Sequence, residues 1–370
     1  MSTSAITELF QNTRSPVVSV ERGNTKSSEN SMRAAHDEHQ QRMQLKLTRE
    51  LGEQILALLE DNRTEDILLN PDSSVWIKRM GEGFTRAADM APTLALSALS
   101  TIAAWRGTIL NHQNPILETE LPIDGSRFEG IVPPVVRNPV FAIRLRPRKI
   151  FTLDEYEQSG ILTTRDDPAN RLRRRHDFAR SVRGLKHSEI IRAAVRAKKN
   201  ILVVGSTGSG KTTFVNACLD ALAQLTPNDR VITIEDTIEL QCAVQNYLDL
   251  RAVGNVTMLD CLRACMRLKP TRIVVGEVRG AEAHTLLKAW NTGHPGGMAT
   301  VHANDAMSGL TRLESLVAEA TSAPQQMLIA EAVDLVIFVD EEPDIAAGRK
   351  VREVLLVSGY ADGQYVAEHI

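Results

Sequence analysis

ILVVGSTGSGKTTF, residues 201–214, sets an aliphatic run ahead of a glycine-rich turn and a helix-forming run behind it. Ile201–Val204 has the length and β-branched content of a buried strand. Gly205, Gly210, Lys211 and Thr212 fit the spacing G-x-x-x-x-G-K-[ST]. Each residue type answers a physical need. Gly205, Gly208 and Gly210 let the backbone turn with its N–H groups inward, which makes a nest for an anion. The helix behind the turn adds the positive end of its dipole. Lys211 is placed to reach β- and γ-phosphates and the Thr212 hydroxyl to ligate Mg²⁺. Ser206, Thr207, Ser209 and Thr213 complete a loop expected to hold ATP.

Binding a nucleotide does not break it. Hydrolysis needs a carboxylate for the metal shell and one to orient water. Two further strand ends carry acids. RVITIEDTIEL ends a strand at Glu235-Asp236, with Glu239 one turn on, and TRIVVGEVRG ends one at Gly276-Glu277. The second departs from the usual apolar-run-then-Asp form, because Gly276 precedes its only acid. Glu277 is therefore assigned to Mg²⁺ and its water shell, and Glu235 to aligning or deprotonating the attacking water. The sequence leaves open which of the two is the base. GMATVHA, from Gly297, is a further strand and ends at His302. At such a position a histidine either is hydrogen-bonded for structure alone or contacts a γ-phosphate oxygen and senses its loss.

From Ile201 onward apolar runs alternate with helical ones. Strands are expected at 201–204, 231–235, 272–276, 298–301, 334–339 and 351–357, and helices near 211–224, 257–268, 281–291, 305–318 and 324–333. This is the pattern of an α/β domain with a largely parallel core sheet, whose ligands collect at the carboxyl ends of strands. Residues 39–148 read as a smaller α+β domain. Met43, Leu47, Leu51, Ile55 and Leu59 recur every fourth position of an amphipathic helix. ILLNPDSSVWIK reads as strand, turn and strand, and residues 90–109 as a buried apolar helix. ILETELPIDGSRFEGIV is a hairpin turning at Asp124-Gly125, and VFAIRLRP is a strand with Arg144 and Arg146 on one face. Residues 1–38 lack any period and read as a disordered tail. Residues 149–188, with DDPANRLRRRHDFARSVRG, read as a basic linker: a solvated connector, or a basic face for an acidic neighbour or membrane surface.

Bulk properties narrow the function. With 370 residues the chain is long enough for two domains, and a net charge of −3 gives no general affinity for nucleic acid or anionic membrane. Aromatics make up 4%, too few for base-stacking platforms. Cys218, Cys242, Cys261 and Cys265 form no metal-ligand pattern and are expected to be buried thiols in a reducing compartment. MSTSAITELFQNTR lacks the layout of a secretory signal, and no stretch is long and apolar enough to span a bilayer. A soluble, cytoplasmic chain is the expectation.

The boxes GSTGSGKTT, TIEDTIEL, RIVVGEVRG and GHPGGMATVHAND stand in the order seen in the secretion ATPase superfamily, and the chain resembles that group over roughly 45–360. DILLNPDSSVWI, DGSRFEGIVPPVV and FAIRLRP are similar to the N-terminal domain of its type IV secretion branch, the conjugal-transfer ATPases in particular. The zinc-binding tetracysteine insert of the type II branch is absent. The resemblance implies a RecA-like C-terminal domain and a hexameric ring working beside inner-membrane components at the inner face of the inner membrane. It implies nucleotide held between the two domains, which close on binding and rock open on phosphate release. It also implies phosphate contacts from N-terminal arginines, by motif position Arg127 and Arg144, with Arg146 next; Arg279 sits just after Glu277. The function implied is ATP hydrolysis driving conjugal DNA transfer or mating-pilus assembly, without sequence-specific binding of nucleic acid. The alternatives are a type IV pilus motor of the same superfamily and a RecA-like DNA-binding ATPase.

Overall fold

The computed structural model describes residues 24–147, 150–162 and 171–370. Helix α1 spans Asn24–Glu60 and is interrupted at Gly52, whose φ is 74°. Residues 24–38, expected as tail, therefore lie in this helix; residues 1–23 of the expected tail fall outside the described residues. The segment has no apolar period, but NSMRAAHDEHQQRMQ is rich in Ala, Glu, Gln, Arg and Met, all good helix formers.

After α1 come β1 (Thr64–Leu69), β2 (Ser74–Arg79), β3 (Phe84–Asp89), α2 (Pro92–Arg106), β4 (Ile116–Glu120), β5 (Arg127–Ile131) and β6 (Val140–Arg144). These strands form an antiparallel sheet in the order β3-β2-β1-β6-β5-β4. Strand alternation gives the sheet two buried faces. Ile67, Leu69, Val75 and Ile77 pack with Leu47, Leu51, Ile55 and Leu59 of α1 and Leu99 and Ile102 of α2. Leu68, Trp76 and Ala142, pointing the other way, join a core shared with the C-terminal domain.

The chain continues through α3 (Leu153–Gln158), α4 (Arg171–Val182) and α5 (His187–Arg196). The expected linker thus holds helices. Residues 163–170 of it lie outside the described residues, and α4 is a packed helix rather than a solvated connector. Phe178, Ala179 and Val182 of α4 enter the C-terminal core beside Ile190, Ala194 and Val195 of α5. Arg175 is buried and meets an acidic neighbour, with Nε 3.2 Å from Asp334 Oδ1.

The C-terminal domain runs β7 (Ile201–Gly205), α6 (Lys211–Leu225), β8 (Val231–Glu235), β9 (Tyr247–Arg251), α7 (Met258–Cys265), β10 (Arg272–Val275), α8 (Glu282–Asn291), β11 (Met298–His302), α9 (Ala306–Ala318), α10 (Gln326–Ala332), β12 (Leu335–Glu341), β13 (Arg349–Ala361) and β14 (Gln364–His369). Sheet order is β14-β13-β12-β7-β11-β10-β8-β9, parallel from β12 to β9, with β13 and β14 antiparallel at one edge. The class is α/β, as the alternation of runs implied. Ile201 and Val203 face one side of the sheet and Leu202 and Val204 the other, and both sides are covered. Three strands escaped the sequence reading: β3, β9 and β14, each at a sheet edge.

The N-terminal domain packs on the β8–β9 side of the large sheet. Asn70 Nδ2 donates to Asn246 Oδ1 at 3.0 Å, the fully buried Arg230 donates to Asn70 Oδ1 at 2.6 Å, and Arg251 N donates to Val135 O at 2.7 Å. Lys269 Nζ lies 3.0 Å from the buried Asp66. Two strands, β10 and β11, separate this seam from β7. Among the described residues, no helix is long and apolar enough to cross a membrane.

Candidate active site

Sheet order builds the site. β11 lies between β7 and β10, and the register pairs His302 with Gly205. The carboxyl ends of β7, β11 and β10 therefore set the glycine turn, His302 and Glu277 side by side. Gly208 and Gly210 have φ of 82° and 92°, the left-handed region that lets consecutive N–H groups turn inward. Gly210 is the N-cap of the fifteen-residue helix α6.

A cavity of about 770 Å³ opens over this turn. Thr207, Gly208, Gly210, Lys211, Thr212 and Thr213 line its floor, and Glu277, Arg279, Thr300 and His302 one wall. Glu239, Arg312 and Arg349 close it. Four cationic side chains, Lys211, Arg279, Arg312 and Arg349, stand against two carboxylates, Glu239 and Glu277, an excess that suits a polyanion.

A chain of polar contacts runs along the strand tips. Lys211 Nζ donates to Gly205 O at 3.1 Å, to Ser206 O at 2.8 Å and to His302 Nδ1 at 3.2 Å. An ammonium has only donors, so Nδ1 accepts and the ring proton belongs on Nε2. Nε2 lies 2.9 Å from Glu277 Oε1. Arg279 donates to the other oxygen, Glu277 Oε2, at 2.8 Å. Burial draws the Lys211 ammonium below its ordinary pKa, with Glu277 opposing. Burial pushes the Glu277 carboxyl up, but Arg279, His302 and Lys211 together hold it below its ordinary value. Glu277 is thus an anion held among cations.

Glu235 is placed differently. It is buried and does not line the cavity. Its Oε1 accepts from Glu239 N at 3.0 Å and from Leu240 N at 2.9 Å, so it shapes the turn that carries Glu239 to the cavity edge. Burial holds its carboxyl above the ordinary range despite those two donors. Gly276 now has a reason: a methyl group there would lie 2.9 Å from Glu235 Cγ.

The N-terminal arginines stand apart from this cavity, which is lined by residues of the C-terminal domain alone. Within one chain, then, nucleotide held between the two domains is not what the geometry offers. Arg127 and Arg144 are register partners across β5 and β6, both exposed. Arg144 and Arg146 line a second cavity of about 470 Å³ with Phe151 and Lys269. The cause is the seam on the β8–β9 side, which keeps β5 and β6 away from the end of β7.

Arg312, Arg349 and Thr300 line the cavity without having been singled out in the sequence. Arg312 and Arg349 lie 101 and 138 residues beyond Lys211, with no local motif to mark them. The thiols Cys218, Cys261 and Cys265 are buried and Cys242 is half-buried. Burial pushes Cys218 and Cys261 up to about 12, so they are inert at neutral pH.

The residues fit a nucleotide with its metal. The glycine turn and Lys211 form the anion cradle. Thr212 and Glu277, both facing the cavity, offer the hydroxyl and carboxylate by which Mg²⁺ is commonly held beside phosphates.

The family model for Type II/IV secretion system proteins matches residues 179–344. A probable conjugal transfer protein TrbB of Sinorhizobium fredii is 41% identical over 327 residues, covering 88% of this chain and 93% of the relative. A type IV secretion system protein VirB11 of Bartonella quintana is 29% identical over 292 residues, 72% of this chain and 80% of the relative. Among solved structures, the VirB11 ATPase from the Brucella suis type IV secretion system, crystallised in complex with sulphate, superposes with a TM-score of 0.77 at 26% identity. It covers 86% of this chain and 96% of that one.

Proposed function

Since the chain belongs to the type II/IV secretion system protein family, with conjugal-transfer TrbB and VirB11 ATPases among its relatives, we propose that it hydrolyses ATP with Mg²⁺ to power a type IV secretion machine that carries out conjugative transfer. One observation carries the catalytic part: His302, at the end of β11, stands between Lys211, to which its Nδ1 is hydrogen-bonded, and Glu277, 2.9 Å from its Nε2, above a left-handed glycine turn.

The chemistry follows from that arrangement. When a triphosphate enters, Lys211 exchanges the Gly205 and Ser206 carbonyls for β- and γ-phosphate oxygens, which are stronger acceptors. His302, in contact with Lys211 on one side and Glu277 on the other, links the group that grips the γ-phosphate to the carboxylate beside the attacking water. Loss of that phosphate returns Lys211 to the Gly205 and Ser206 carbonyls, and His302, which stays in contact with both Lys211 and Glu277, passes that shift to the carboxylate, which makes His302 the sensor of hydrolysis. Thr212 and Glu277 would hold Mg²⁺, which would supply charge neutralisation at the phosphate oxygens. Glu235 acts through the turn it supports, a positioning residue for Glu239. Both Glu277 and Glu239 face the space where the water is expected.

The same proposal includes a homo-oligomeric ring of six. Arg127 and Arg144 are exposed and do not line the cavity of their own chain, which suits contact with the site of an adjacent copy. In that arrangement the ring sits at the inner face of the inner membrane against membrane components of the machine. The test is Mg²⁺-dependent ATP hydrolysis by the full chain. Lys211→Ala is expected to abolish turnover. Glu277→Gln is expected to retain ATP binding while hydrolysis falls about 10²-fold or more. Hydrolysis by Glu277→Gln at the wild-type rate would remove Glu277 from the mechanism.

A further inference from the structure

We propose that Arg349 is a nucleotide-contacting residue, carried to the α/β-phosphate end of the loop by the β12–β13 hairpin. This rests on the nucleotide reading of the cavity. β12 runs parallel to β7, with Phe338 opposite Val204, so its carboxyl end emerges beside the glycine turn. The chain then reverses and returns as β13, whose first residue, Arg349, pairs in register with Glu341. The hairpin is pressed against the loop along its length. A methyl group built on Gly205 would lie 2.2 Å from Val339 O, and one on Gly208 3.6 Å from Glu341 Oε1. At Gly210 it would lie 2.2 Å from an Arg349 guanidinium nitrogen. Gly210 thus does two things: it takes the left-handed turn, and it leaves room for the arginine above it.

The electrostatics point to an anion. Arg349 stands over the amino end of α6, near Lys211, where the helix dipole disfavours a cation. Among the described residues its one side-chain bond is NH1 to Thr213 Oγ1 at 3.4 Å, and no carboxylate lies within 4.0 Å of it. Two nearby arginines are neutralised, Arg279 by Glu277 and Asp236 and Arg352 by Asp340 and Glu342, whereas Arg349, like Arg312 across the cavity, has no ion pair among the described residues. A guanidinium left without a counter-ion beside a second cation and a helix amino end is stabilised when a polyanion fills the cavity they share. Thr213 locates the contact. Lys211 serves the β- and γ-phosphates and Thr212 the metal, so the next residue along α6 lies toward the α side.

The experiment measures binding of ATP and ADP to the full-length chain, with Lys211→Ala, Arg349→Gln and Arg349→Lys alongside the wild type. Arg349 is exposed, so its replacement leaves the core untouched. Arg349→Gln is expected to weaken ATP and ADP alike, by about tenfold or more, because both carry the α- and β-phosphates. The ATP-to-ADP preference should stay within about twofold of wild type, and Arg349→Lys should recover part of the loss. Turnover at saturating ATP should change far less than KM. Wild-type ADP affinity in Arg349→Gln would overturn the proposal while leaving the nucleotide site standing. So would a loss confined to ATP, which would mark a γ-phosphate contact, or a loss that Arg349→Lys does not recover and that comes with a lowered Tm, which would mark a structural role. If the wild-type chain binds neither nucleotide, the reading of the cavity itself fails, and this proposal with it.

Discussion

At the scale of single residues, Gly276 shows how the absence of a side chain at one position leaves room for a buried carboxylate from another strand. Its Cα lies where the Glu235 side chain passes, and any Cβ would meet Glu235 Cγ at 2.9 Å and Oε1 at 3.2 Å. Gly276→Ala is therefore expected to push Glu235 off the Glu239 and Leu240 amides and let the Glu239 turn drift. Displacements of about 1 Å near reacting groups cost on the order of 10²-fold in rate. ATPase assays beside a thermal melt will separate the effects: activity should fall steeply with little change in Tm. The departure at 276 was visible in the sequence, but its reason was not, because Glu235 comes from a different strand, 41 residues earlier. By contrast, the roles proposed for Lys211 and Thr212 rest on a local spacing that reads directly from sequence.

Among elements, α4 departs most from its sequence reading. RLRRRHDFARSV is so basic that its few apolar residues are easily overlooked, yet Phe178, Ala179 and Val182 fall at i, i+1 and i+4 and form a narrow buried stripe. Arg175 supplies the rest of the docking. Its guanidinium donates to Ala330 O and Glu331 O, both at 2.6 Å, and to Val333 O at 3.3 Å. Those carbonyls belong to the last turn of α10 and its C-cap, Val333, where helix carbonyls are capped from outside. Arg175→Ala would remove these three bonds and one of the ion pairs of the buried Asp334. We expect a loss of about 3–5 kcal/mol in unfolding free energy, measured by denaturant titration, with Arg175→Lys recovering only part. The three overlooked strands share one cause. β3, β9 and β14 are edge strands, where FTRAAD, YLDLR and QYVAEH carry charges and few apolar residues. Edges are kept polar and short, so the signal that identifies central strands is weakest there.

On the scale of the whole molecule, the two domains of the chain are joined by a continuous core and by the buried Asn70–Arg230–Asn246 cluster. Any opening and closing between them would have to break this seam. The seam also holds a titratable group. Glu129 is buried, its Oε2 has no hydrogen-bond partner among the described residues, and it lines a cavity of about 320 Å³ with Glu118, Asn255, Asp260 and Arg263. Burial, opposed by Arg267 and reinforced by Glu118, pushes its pKa up to about 8. The sign follows from linkage. Below about 4.5 the group is protonated in both folded and unfolded chains, and it costs nothing. As pH rises from there to about 8, the unfolded chain releases the proton first, so stability falls across that window. Glu129→Gln should flatten that fall and raise stability at pH 8.5 by roughly 2 kcal/mol or more relative to wild type, with little difference at pH 4.5. Melts at the two pH values will check it; equal slopes for both proteins would show that Glu129 ionises freely.

Sequence alone determined the α/β class of the C-terminal half, the phosphate turn and the acids and histidine at strand ends, because each depends on the period or spacing of residues close together in the chain. Tertiary structure decided which strand tips are neighbours. β11 enters between β7 and β10, and that alone brings His302 between Lys211 and Glu277. It also decided that Glu235 stands behind the cavity, that Arg349 lies over Gly210 and that Arg127 and Arg144 stand away from the phosphate turn of their own chain. These follow from how strands order themselves and domains pack, and no short-range pattern encodes the meeting of residues a hundred positions apart.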